Sequence, residues 1–179
     1  MRTDYDILMK VGTKLFEYSA ITGVHIDKEE TYGVDIACTG WGREFGVEVK
    51  SASEKYGSVM GDYFLYSSTT GDYWRWCSGV SQDNQDIISA DTTERPSNLE
   101  GKHVMILNKS KLDKLLKTNQ CLAYAGVDGF VILSPEQLKE SILGFGYLYC
   151  GHTKYFYNRK RSFELKALIN LDNGKFINF

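Results

Sequence analysis

The 179-residue sequence predicts an α/β fold, a mixed sheet with helices against it, organised as one domain over 1–179. Three observations predict it. Residues 4–19 carry apolar side chains at helical spacing. Two stretches, Gly33 to Cys38 and Glu44 to Ser51, alternate apolar and polar residues on either side of the turn-like "TGWGR". Beyond residue 103, strand-like and helix-like stretches follow one another at short intervals.

The first helix places Ile7, Leu8, Val11, Leu15 and Tyr18 on one stripe, with Thr3 or Asp4 as its cap and Gly23 lying past its end. A chain folded about Trp41-Gly42 sets Gly40 against Arg43, and the same register sets Asp35 against Glu48. Directly opposed residues share a sheet face. Lys50, two residues beyond Glu48, joins that face. Val34, Ile36, Phe45, Val47 and Val49 fall on the other, as a core face.

A third strand is expected near 58–66, then a short helix in "SSTTGDYWRWC" and a long insertion over about 78–101, whose composition is that of a loop. "HVMIL" (103–107) reads as a buried strand. "KSKLDKLLKTN" reads as a helix with Leu112, Leu115 and Leu116 inward, and "GFVILS" as a strand. "SPEQLKESILG" reads as a helix with Ser134 as cap, Pro135 at the first position and Gln137 completing a capping box. Segments 146–157 and 162–171 read as strands. Residues from about 120 to 179 are expected to form a C-terminal extension.

Composition narrows the function classes. No apolar run approaches the ~20 residues of a membrane span, and the N-terminus lacks the apolar stretch of a signal peptide, so a cytoplasmic protein is expected. The four cysteines are scattered with no C-x-x-C, which argues against a disulfide framework. Net charge is −2, where a nucleic-acid binder more often has a basic surplus; "YNRKRS", with Arg159, Lys160 and Arg161, is a local basic patch. No G-x-S-x-G, P-loop or zinc-finger spacing is present, and Cys150-Gly151-His152 reads as a buried thiol beside a surface imidazole. A second Glu-x-Lys, at Glu164 and Lys166, lacks an aspartate on a preceding hairpin strand and reads as a solvated strand face.

Asp35, Glu48 and Lys50 remain. Mg²⁺ prefers oxygen ligands and is seldom enclosed by protein alone, so two carboxylates on paired strands, with the carbonyl of Val49 as a third oxygen, suit it. A lysine beside such a cation can orient an attacking water or stabilise charge on a phosphorane. Asp35, twelve residues, then Glu48-Val49-Lys50 resembles the core motif of the PD-(D/E)xK nucleases, closest in spacing to Holliday-junction-resolvase-type members. Gly33-Val34 stands where the family name has proline.

The resemblance covers about residues 1–75. It implies a restriction-endonuclease-like core: a helix, a three-stranded antiparallel meander, a second helix and a further strand. It implies Mg²⁺- or Mn²⁺-dependent hydrolysis of DNA, with Asp35, Glu48 and Lys50 catalytic and with Asp35, Glu48, Val49 and the helix residue Glu17 around the metal. Ser51, Thr70 and the 159–161 patch would contact nucleic acid. Ser67, Thr70, Gln82 and Gln85 are the candidates for a polar residue on the helix after the third strand. A phage- or mobile-element-type enzyme, acting as a homodimer, fits the size. The alternative is a binding module of the same fold that holds nucleic acid or a protein without cutting.

Overall fold

The computed structural model describes residues 5–27, 34–51, 72–77, 91–92, 103–150 and 166–179. In chain order the elements are α1 (Tyr5–Phe16), β1 (Ile21–Ile26), β2 (Ile36–Gly40), β3 (Arg43–Ser51), β4 (Asp72–Cys77), β5 (Asp91–Thr92), β6 (Val104–Asn108) and α2 (Lys109–Lys117). They continue with β7 (Cys121–Ala125), β8 (Gly129–Leu133), α3 (Pro135–Glu140), β9 (Ile142–Cys150), β10 (Lys166–Asn170) and β11 (Lys175–Asn178). The fold is mixed α and β. The chain divides into two compact units, Met1–Gly57 with Lys114–Ser141 and Leu171–Phe179, and Ser58–Asp113 with Ile142–Asn170.

The first unit holds a six-stranded mixed sheet in the order β1-β2-β3-β7-β8-β11. β1, β2 and β3 form an antiparallel meander. β3 then pairs in parallel with β7, which turns back as a hairpin into β8, and β11 closes the edge. The second unit holds an antiparallel sheet in the order β5-β4-β9-β10-β6.

The hairpin forms in the expected register, with Gly40 opposite Arg43, Cys38 opposite Phe45 and Ile36 opposite Val47. Its loop is two residues long, and both have positive φ: Trp41 at 51° and Gly42 at 71°. That is the primed turn whose twist matches paired strands, and Asn-Gly is its favoured sequence. Gly42 adopts it freely, whereas Trp41 takes a left-handed conformation that costs an L-residue about 1 kcal/mol or more. The core face gathers Ile36, Cys38, Val47 and Val49 with Leu8, Val11 and Leu15 of α1, all buried. Each such aliphatic side chain contributes roughly 1.5–3 kcal/mol by leaving water.

Several boundaries depart from expectation. α1 ends at Phe16 rather than 19, because the Tyr18 carbonyl accepts from the Ile21 amide as β1 begins. β1 itself, "ITGVHI", is an unforeseen strand and supplies the first leg of the meander. β2 starts at Ile36, so Val34 lies before the strand and off the core face. A Cβ at Gly46 would fall 2.8 Å from Val34 Cγ1, which puts Val34 over the opposite face. Asp72–Cys77 is a strand, not part of a short helix. β7 and β11 also went unforeseen; with β8 they put part of the expected C-terminal extension in the first sheet, while its strands β9 and β10 belong to the second.

α3 has its capping box as expected. The Gln137 amide donates to Ser134 Oγ at 3.2 Å, and the Ser134 amide donates to Gln137 Oε1 at 2.9 Å. The helix stops at Glu140, and β9 takes over at Ile142. The third strand expected near 58–66 and most of the 78–101 insertion lie outside the described residues. Among the described residues, no helix is long and apolar enough to cross a membrane.

Candidate active site

One end of the β1-β2-β3 meander gathers the charge. Carried one pair beyond Ile36 and Val47, the hairpin register sets Asp35 opposite Glu48. The Val49 amide donates to Asp35 Oδ2 at 2.7 Å, so the aspartate reaches across to the residue between Glu48 and Lys50. Lys50 Nζ lies 2.7 Å from Glu48 Oε1. The register and these two contacts place Asp35, Glu48, Val49 and Lys50 near one another at one end of the hairpin.

The burial there is unusual. Glu48 is 3% exposed, in the middle of a sheet whose next strand sets Leu122 opposite it and Tyr124 opposite Lys50. Carboxylates are seldom buried without a partner charge, and Lys50 supplies one. The Lys50 side chain keeps a third of its surface in water. Burial raises the Tyr124 phenol above its usual range, so it stays protonated beside the lysine at neutral pH.

Sequence reading passed over a second buried carboxylate. Asp27 follows β1 directly, is 7% exposed, and its amide donates to the Asp35 carbonyl at 3.1 Å. The signal was an aspartate at the end of a strand, invisible while the strand itself was missed. Even so, among the described residues no three Asp, Glu, His or Cys side chains stand close enough together to hold a metal ion.

Glu17 does not join them. It lies one residue past α1, exposed, with its carboxylate 3.4 Å from Lys14 Nζ. α1 ends beside the Trp41-Gly42 turn, since Ile21 pairs with Gly40. Asp35 sits five residues along β2 from Gly40, roughly 17 Å away at strand rise. Ser51 follows Lys50 at the end of β3, opposite Ala125, and strand alternation turns it to the other face. Thr70, Arg159, Lys160 and Arg161 lie outside the described residues, as do Ser67, Gln82 and Gln85.

A cavity of about 670 Å³ is lined by His25, Val34, Thr39, Arg43, Gly46 and Gln120 among others, but by none of Asp35, Glu48 and Lys50. Gln120 precedes β7 and is buried. Its Nε2 donates to Thr118 Oγ1 at 2.8 Å, while the single Thr118 hydroxyl proton goes to the Lys114 carbonyl at 2.7 Å. That fixes the amide orientation and leaves Gln120 Oε1 buried without a hydrogen-bond partner. Gly46 is glycine because Val34 and Gln120 close over it.

On the core face, Cys38 and Cys121 are free thiols. Burial, then the charge of Cys121, pushes Cys38 up to about 11. Burial likewise pushes Cys121 up to about 11, with Arg43 opposing and Glu136 adding. Neither is a nucleophile at neutral pH.

No protein family, curated protein or solved structure matches the chain.

Proposed function

We propose that the chain is a metal-dependent nuclease that hydrolyses phosphodiester bonds in DNA at the Asp35–Glu48–Lys50 site. The observation that carries the reading is the meeting of these side chains at one strand end, with Asp35 against the Val49 amide and Lys50 against Glu48. The element order supports it too. α1 precedes an antiparallel meander with Asp35 before its second strand and Glu48 on its third, and after β4, β5 and β6 come α2 and a strand parallel to β3; the strand that completes the meander is β1 rather than the one expected near 58–66.

The donor set fits Mg²⁺ or Mn²⁺. Two carboxylates and the Val49 carbonyl are oxygen ligands that leave most positions to phosphate and water, the partial enclosure Mg²⁺ takes. Bound there, the ion would polarise the phosphate and acidify a water. Asp35 is held for this task by the Val49 amide. Glu48 both faces the ligand position and holds the Lys50 ammonium at one place. Lys50, fixed in this way, orients the attacking water and meets the charge that builds on the phosphorane.

A second reading, a binding module that does not cut, is favoured by one observation. Asp35 has a backbone donor and the buried Glu48 a counter-charge in Lys50, so the arrangement closes on itself without a cation. Incubation with supercoiled plasmid, linear duplex and branched DNA in Mg²⁺ or Mn²⁺, beside Lys50→Ala and an RNA substrate, separates the two. Cutting of DNA by wild type alone supports the nuclease. Equal binding with no cutting by either protein supports the module.

A further inference from the structure

The Trp41-Gly42 turn lies at the opposite end of the meander from Asp35. Trp41 is bulky, sits at φ 51° where Asn or Gly is favoured, and is 66% exposed. Neither packing nor turn geometry explains a tryptophan there. Strained residues persist where function holds them, and exposed tryptophans concentrate at binding sites. The ring is not isolated. Phe45 lies 5.9 Å from it, centroid to centroid, tilted by 43°.

Both rings line a cavity of about 610 Å³, within the range of small-ligand sites. Tyr18 is a third aromatic wall, with Lys175 Nζ 4.8 Å from its ring centroid. The charged residues lining the cavity are Arg43 and Lys175, both cationic, in a chain whose net charge is −2. Three aromatic walls and two cations suit a ligand that joins a flat ring to an anionic group.

We infer that this cavity binds a nucleotide, with its base stacked on Trp41 and Phe45 and its phosphate against Arg43 and Lys175. Stacking on an aromatic face accepts any base. Ser134 and Gln137 also line the cavity, but each is committed to the other in the capping box, so that wall adds little base discrimination. Arg43, on the other face and at the other end of the hairpin from Glu48, lets the site bind whether or not the chain cuts. The ligand is a free mononucleotide or one unit of an unpaired strand.

Calorimetric titration of the full chain with dTMP and dAMP, and anisotropy of a labelled twelve-residue oligothymidylate, both in EDTA, test the inference. Wild type should bind at least one of these probes, with the two mononucleotides differing less than about threefold. Trp41→Gly should weaken binding at least tenfold without lowering the thermal midpoint, because glycine is free at φ 51°; Trp41→Phe should restore most of it. Binding of the oligonucleotide alone assigns the site to a strand, and equal binding per nucleotide assigns it to the monomer. The inference is overturned if no probe binds below millimolar concentration, if Trp41→Gly binds like wild type, or if ringless tripolyphosphate competes as well as dTMP. Cleavage in Mg²⁺ is scored separately, so loss of one reading leaves the other standing.

Discussion

Replacing Lys50 with alanine strands a buried carboxylate. Two unit charges 2.7 Å apart attract by about 6 kcal/mol at an effective dielectric of 20 and by about 1.5 kcal/mol in bulk water. Lys50 is 33% exposed and Glu48 almost wholly buried, so the pair lies between these limits. Water entering the space left by the lysine offsets part of the loss, and a net cost of roughly 2–3 kcal/mol follows, below that of a fully enclosed pair. For a chain of this size that lowers Tm by roughly 4–12 °C. Urea and thermal denaturation of wild type, Lys50→Ala and Glu48→Gln/Lys50→Ala measure it. The double variant removes the stranded charge and should recover at least half the deficit. If Lys50→Ala unfolds like wild type, or if the double variant is no more stable than the single, the two groups do not act as a buried pair, and the rigid lysine of the proposed mechanism goes with them.

Asp35→Asn keeps an acceptor for the Val49 amide and should change stability by less than about 0.5 kcal/mol while abolishing cleavage; Asp35→Ala should lose cleavage and about 1–2 kcal/mol as well, read by the same denaturation curves. Cys38 and Cys121 should resist a thiol reagent at pH 8 in the native protein and react on unfolding, since each stays a thiol until about pH 11. Their folded values lie above the unfolded one, so the associated stability is complete below about pH 8.5–9 and is lost as pH rises toward 11; urea midpoints between pH 8 and 11 should fall, and a flat profile would contradict the burial.

The part of the fold legible in the sequence was the part with local signals. The hairpin register followed from alternation and a two-residue turn, and the α3 capping box from Ser134, Pro135 and Gln137. β1 was missed because "ITGVHI" alternates weakly around a glycine. "DYWRWC" alternates clearly, but the Ser/Thr run before it suggested a helix cap. β7, "CLAYA", is buried almost throughout, so it shows no polar face, and its parallel pairing with β3 leaves no local trace. The nearness of Asp35, Glu48 and Lys50 was legible because spacing and register alone bring them together. Glu17 was misplaced because its position depends on where α1 stops, and three residues at a helix end decide that. The Trp41 cavity gathers β11, α3 and the turn, segments far apart in sequence, and no pattern within any one of them announced it.

The parallel pairing of β3 with β7 joins residues about 74 positions apart, with the whole of Ser58–Asp113 between them. Until β7 arrives, β3 is the outer strand of a three-stranded sheet and offers one row of backbone amides and carbonyls to any passing strand. During synthesis the ribosome takes several seconds to span that interval. The growing chain therefore passes through a stage at which the strand bearing Glu48 and Lys50 is its most adhesive surface, and a fragment ending before residue 121 should aggregate.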